Sequence, residues 1–133
     1  MVDVVVIGAG AVGCAAALHL KEAGPELEVL VVEPDYTYAR AATGKGTGGV
    51  RQLFTRPENI WLSQYTLEAI EDWDRWGAVG GEAAPELNWR RNGYLFVVGD
   101  QDLHTLEANF ETQLRNGVAT EWLDATALAD RYP

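Results

Sequence analysis

Three glycines, Gly8, Gly10 and Gly13, follow directly on the apolar run Val4-Val5-Val6-Ile7, and Glu33 stands twenty residues after the last of them. A G-x-G-x-x-G spacing suits a loop that must bring its backbone against a phosphate chain. Gly8 supplies a tight turn, Gly10 keeps a Cβ out of the way of a pyrophosphate, and Gly13 lets the following helix pack close to the strand. The Glu33 carboxylate would accept hydrogen bonds from ribose hydroxyls and repel a 2′-phosphate, which disfavours NADP and leaves FAD or NAD. Further along, Arg51 lies in the otherwise apolar stretch Val50-Arg51-Gln52-Leu53-Phe54. It is either a salt-bridged structural residue or a bidentate clamp for a carboxylate.

These residues need elements to hold them. Residues 2–7 read as a buried parallel strand, and Ala15, Ala16, Ala17, Leu18 and Leu20 continue into a helix of good formers. Its unpaired N–H groups and positive dipole end would face an anion, so the loop needs no lysine. Leu27, Val29, Leu30, Val31 and Val32 form a second buried strand ending at Glu33, which completes a βαβ dinucleotide-binding unit. Beyond it comes a second glycine-rich loop, residues 41–49, where an ordinary NAD domain would place a helix and a third parallel strand. Exposed N–H groups and the Thr43 and Thr47 hydroxyls of this loop could contact a long cofactor; alternatively it is a surface loop.

The later segments read as architecture. Pro57 opens a helix that Gly77 ends, with Leu62, Tyr65, Ala69, Trp73 and Trp76 as its core stripe. Residues 89–98 suggest a strand or hairpin turning at Asn92-Gly93. Leu103, Leu106, Phe110 and Leu114 fit an amphipathic helix ending at Asn116-Gly117. A short strand is expected over residues 120–123, and Asp124 is placed to cap a last helical turn.

The 133 residues are 47% hydrophobic and 10% aromatic, a globular composition, and the formal charge is −10. Such an acidic chain, with a pI near 4.5, lacks the basic surface that nucleic acid or an anionic membrane requires. No apolar stretch is of membrane-spanning length and no secretory leader is evident, so a cytoplasmic protein is expected. One cysteine and two histidines cannot supply a structural zinc site, and no metal is expected. Cys14, in the first turn of the nucleotide helix, reads as a small apolar filler against the sheet rather than a reactive thiol. His19 and His104 read as surface histidines.

The stretches VVVIGAGAVGCAAALHL, LVVEPD, ARAATGKGTGGVRQLF, PENIWLSQYTLEAIEDWDRWG, NGYLFVV and EWLDATALADRYP together resemble the D-amino-acid oxidase-like FAD-dependent oxidoreductases, which include sarcosine oxidases, glycine oxidases and dimethylglycine dehydrogenases. The likeness covers essentially the whole chain, and the threonine-glycine loop leading into GGVRQLF is its most specific part. It implies an α/β fold: a Rossmann-like FAD-binding βαβ unit, residues 1–87 belonging to the FAD-binding domain and residues 88–133 beginning an α+β substrate domain. The implied cofactor contacts are Gly8, Gly10, Ala11, Val12 and Gly13, then Glu33 and Pro34, then Arg40, Ala42, Thr43 and Gly49. Arg51 becomes the implied anchor for a substrate carboxylate. No histidine or cysteine lies between Arg40 and Phe54, where some relatives attach the flavin covalently, so FAD is expected to be noncovalent. Gly48 stands where some sarcosine oxidase relatives carry a further arginine, so the monomeric sarcosine oxidase pattern fits poorly.

Family enzymes are considerably longer, so the chain is expected to be an amino-terminal part with an incomplete fold. The implied reaction is oxidation of a carbon–nitrogen bond in an amino acid or N-methyl amino acid, hydride passing to flavin and the imine hydrolysing. No catalytic base is identifiable. The expected partner is a small amine or amino-acid substrate. Two other readings remain open: a piece of an NAD-dependent dehydrogenase, and a noncatalytic nucleotide-binding module for which a second chain supplies the missing half.

Overall fold

The computed structural model describes all residues, Met1–Pro133, and divides into two compact units, Met1–Gly49 and Val50–Pro133. In the first, strand β1 (Val4–Ile7), helix α1 (Ala11–Ala23) and strand β2 (Val29–Val32) form the expected βαβ unit. The strands pair in parallel, Val4 opposite Val29 through Ile7 opposite Val32. Asp3 pins the start of the pair, since its N–H donates to the Glu28 carbonyl and its carboxylate accepts from the Glu28 N–H. At the far end of α1, the Lys21 ammonium donates to the Leu27 carbonyl at 2.7 Å, which ties the helix to the entry of β2. A short helix, α2 (Ala42–Lys45), lies in the second glycine-rich loop.

The strands were expected to be buried on both faces, and only one face is covered. Val4, Val6, Val29 and Val31 are half-buried on the α1 side, whereas Val5, Ile7, Leu30 and Val32 are 44–87% exposed. Their apolar composition suits a sheet covered on both sides, and here a single helix packs against it.

In the second unit, α3 (Pro57–Glu71) packs against α5 (Leu103–Arg115) around fully buried Ile60, with Gln113 and Val118 buried beside it. The Gln64 amide donates to the Asn116 carbonyl at 2.8 Å, and the Trp61 indole donates to the Asn116 side chain at 3.0 Å. The helix expected to run unbroken from Pro57 to Gly77 is interrupted at Asp72 (φ −104°, ψ 39°), and α4 (Trp73–Gly77) follows. Aspartate favours such non-helical conformations over a helix interior. The expected stripe is covered only in part: Leu62 and Tyr65 are 65% and 45% exposed, whereas Ala69, Trp73 and Trp76 are half-buried, as are Ser63, Gln64, Leu67 and Ile70 beside buried Ile60.

Helix α5 ends as expected at Asn116-Gly117, where Gly117 adopts φ +74° and the Asn116 side chain donates to the Thr112 carbonyl. Phe110 of α5 meets Trp122 edge to face at 5.4 Å. Helix α6 (Ala125–Arg131) is capped by Asp124, whose carboxylate accepts from the Ala127 N–H at 2.8 Å. Residues 89–98 and 120–123, expected as strands, are not strands here. Gly93 takes φ +74°, but neither the expected turn at Asn92-Gly93 nor a backbone ladder forms, and Tyr94, Leu95, Phe96 and Val97 remain exposed. No helix is long and apolar enough to cross a membrane.

Candidate dinucleotide site

The first unit contains a cleft of about 910 Å³ at the carboxyl ends of β1 and β2. That is the end of a parallel sheet where ligands generally bind, and the volume is of ligand-pocket size. Its floor is built by the glycine loop. Gly8 takes φ +99°, a conformation that disfavours any side chain, and its N–H donates to the Val32 carbonyl at 2.7 Å. A Cβ at Gly13 would stand 1.9 Å from the Gly8 carbonyl oxygen and 3.3 Å from Val6, so this glycine is what lets α1 start against β1. At Gly10 a Cβ would meet nothing within 4 Å, so the chain there borders open space.

The amino terminus of α1 opens beside this loop without a side-chain cap and without an acidic residue in its first turn. Its first N–H groups therefore have no intrahelical acceptor, and the positive end of the helix dipole is not neutralised from within. Phosphate oxygens match both features.

Glu33 forms one wall and is fixed in place. One carboxylate oxygen accepts the Ala9 N–H at 2.8 Å, and the other accepts the Asp35 N–H at 2.9 Å. Each oxygen has a further lone pair, so the group can still accept a ribose hydroxyl. The bond to Ala9 joins the acid to the glycine loop across 24 residues, so the phosphate and ribose ends of the site are set together. Asp35 continues the wall into a tight turn, accepting from both the N–H and the hydroxyl of Thr37. Those bonds, led by the Thr37 hydroxyl, hold its carboxyl below the ordinary aspartate range.

The cleft lining includes Gly8, Gly10, Ala11, Val12 and Gly13 from the first loop and helix, Glu33 and Pro34 from the end of β2, and Arg40, Ala42 and Thr43 from the second loop. Val6, Ile7, Ala16, Asp35, Tyr38 and Ala41 also line it and were not anticipated. Tyr38 follows the turn that Asp35 and Thr37 make and takes φ +56°, rare for an aromatic residue, which no sequence pattern marks. Gly49 does not line the cleft.

Arg51 belongs to the second unit. Its guanidinium carbon lies 4.7 Å from the Phe54 ring centre and 5.3 Å from that of Phe96, and no carboxylate is bonded to it. Cys14 is exposed rather than packed against the sheet, and its thiol donates to the Ala9 carbonyl at 3.1 Å. His19 is joined to Glu22 on the surface of α1, and His104 is exposed beside Thr105.

The residues of the cleft fit the ADP portion of a dinucleotide: a bare helix terminus for the pyrophosphate, a loop open at Gly10, and a fixed acid for the ribose. The family model described as FAD dependent oxidoreductase matches residues 3–133. The chain is 32% identical over 134 residues to a FAD-dependent oxidoreductase domain-containing protein 1 of Bos taurus, covering 98% of the chain and 28% of that protein. It is 30% identical over 144 residues to a gamma-glutamylputrescine oxidoreductase of Escherichia coli, covering 98% of the chain and 33% of that protein. An L-2-hydroxyglutarate dehydrogenase of the same organism is 25% identical over 142 residues, covering all of the chain and 31% of that protein. The chain thus spans about a third or less of the length of these relatives. No solved structure matches it.

Proposed function

The chain belongs to the D-amino-acid oxidase-like family of FAD-dependent oxidoreductases, and on that premise we propose that it serves an enzyme oxidising the carbon–nitrogen bond of an amino acid or N-methyl amino acid. In this reading it is the amino-terminal, FAD-binding part of that enzyme, with residues 1–87 in the FAD-binding domain and residues 88–133 opening the substrate domain. The similarity to a gamma-glutamylputrescine oxidoreductase supports an amine as substrate. The observation that carries a carboxylate-bearing substrate is Arg51, a cation with no carboxylate partner in this chain and so available to a substrate's own.

The residues divide the work. The amino terminus of α1 and the Gly8–Gly10 turn hold the pyrophosphate, and Glu33 holds the adenosine ribose, with no protein atom covalently attached. Arg51 grips the substrate carboxylate through two parallel N–H bonds, which fixes the orientation of the carboxylate. The chemistry that FAD supplies when bound is acceptance of a hydride from the carbon beside nitrogen, after which the imine hydrolyses in water.

A second reading replaces the amine by a 2-hydroxy acid, on the similarity to an L-2-hydroxyglutarate dehydrogenase. A carboxylate anchor serves either substrate. Anaerobic mixing of the flavin-loaded full-length protein with sarcosine, glycine, proline, D-alanine and matching 2-hydroxy acids separates them. Bleaching of the flavin by an amine is expected; bleaching by hydroxy acids alone overturns the amine reading. Arg51→Lys keeps the charge but loses the planar fork, so it should raise KM for the carboxylate-bearing substrate more than for its decarboxylated analogue.

A further inference from the structure

Among the eight arginines of the chain, Arg51, like Arg40, Arg56 and Arg90, has no acidic partner, and it is set apart by the two aromatic rings beside it. Arg91, Arg115 and Arg131 are joined to Glu71, Glu111 and Glu121. Arg51 is instead held by two aromatic rings, Phe54 from its own segment and Phe96 from a segment 42 residues further on. The difference is chemical as well as geometric. A carboxylate partner consumes the in-plane N–H donors of a guanidinium, whereas a ring beneath it engages the face and leaves all five donors free.

We propose that Phe96, together with Phe54, is a positioning residue that holds the Arg51 guanidinium in one plane with its hydrogen-bonding edge unspent, ready for a substrate carboxylate. The proposal rests on the reading of Arg51 as the carboxylate anchor. An unsupported arginine side chain on the surface samples many rotamers, and binding a carboxylate must then order it at a cost in entropy. Two stacked rings order it beforehand, so a larger share of the fork's interaction appears as affinity. Phe96 is also 44% exposed on a segment with no strand partner, so its ring is not there to fill a core. The contact with Arg51 is the interaction that the ring makes in its place.

The test uses the flavin-loaded full-length protein and acetate as the carboxylate probe, titrated calorimetrically. Phe96→Leu keeps apolar bulk and removes the ring face, and it is expected to weaken acetate binding about three- to tenfold, the range of a partly desolvated cation–π contact. Phe96→Tyr should restore it. In turnover, Phe96→Leu should raise KM for a carboxylate-bearing amine with kcat and the KM of the decarboxylated amine unchanged. Pentafluorophenylalanine at position 96 preserves shape and reverses the ring quadrupole, so it gives the same answer if the leucine variant fails to fold. Weakened acetate binding in that protein supports the proposal; wild-type binding in it or in Phe96→Leu overturns it. If Arg51→Lys alters acetate binding while the ring variants do not, the anchor stands and its aromatic support falls. If none of the variants alters it, the reading of Arg51 falls with the proposal.

Discussion

Loss of the Glu33 carboxylate removes the bonds that fix the Ala9 and Asp35 N–H groups and, with them, the proposed acceptor for ribose hydroxyls. Glu33→Ala is therefore expected to weaken FAD binding by about 1.5–3 kcal/mol, the worth of a charge-assisted hydrogen bond, or roughly 10- to 150-fold in affinity. Fluorescence titration of the flavin-free full-length protein measures it, and an unchanged dissociation constant would remove Glu33 from the site. The placing of this residue, with Gly8 and Gly13, at the cleft was legible in the sequence because it follows from backbone geometry at short, fixed spacing. Cys14 was not. Which side of a helix is covered depends on elements that a local pattern does not contain, and at Cys14 nothing covers it.

The same distinction holds for whole elements. The cap of α6 was readable from Asp124 alone, since a side-chain acceptor before a helix needs no distant partner. Asp124→Ala should cost about 0.5–2 kcal/mol of local helix stability and speed exchange of the Ala127 amide, as native-state hydrogen exchange would register. Unaltered protection at Ala127 would mean that packing, and not the cap, holds α6. Strands are another matter: alternation over residues 89–98 tells which side chains share a face, but a strand exists only where another backbone pairs with it. Along α3 the sequence offers two apolar stripes. The one centred on Ile60 is covered because α5 lies against it, and the aromatic one through Tyr65 is left partly open. Tyr65 and Trp76 instead meet edge to face at 6.1 Å.

At the scale of the molecule, the proposed contacts of the glycine loop, the α1 terminus and Glu33 are all with atoms that ADP and FAD have in common. The isolated 133-residue chain is accordingly expected to bind ADP about as tightly as FAD, and to purify without colour. Calorimetric titration with each nucleotide checks this. A stable yellow preparation with a marked preference for FAD would mean that these residues build a complete flavin site. The pairing of β1 with β2 has a kinetic consequence as well. Every matched pair, from Val4–Val29 to Ile7–Val32, spans 25 residues, and α1 occupies most of the interval. Closing such a loop from a flexible chain costs about 3 kcal/mol in entropy, so the sheet cannot zip outward from a tight turn as a hairpin does. Coiling of α1 shortens that gap, so pairing of β1 with β2 is expected to follow formation of the helix rather than precede it.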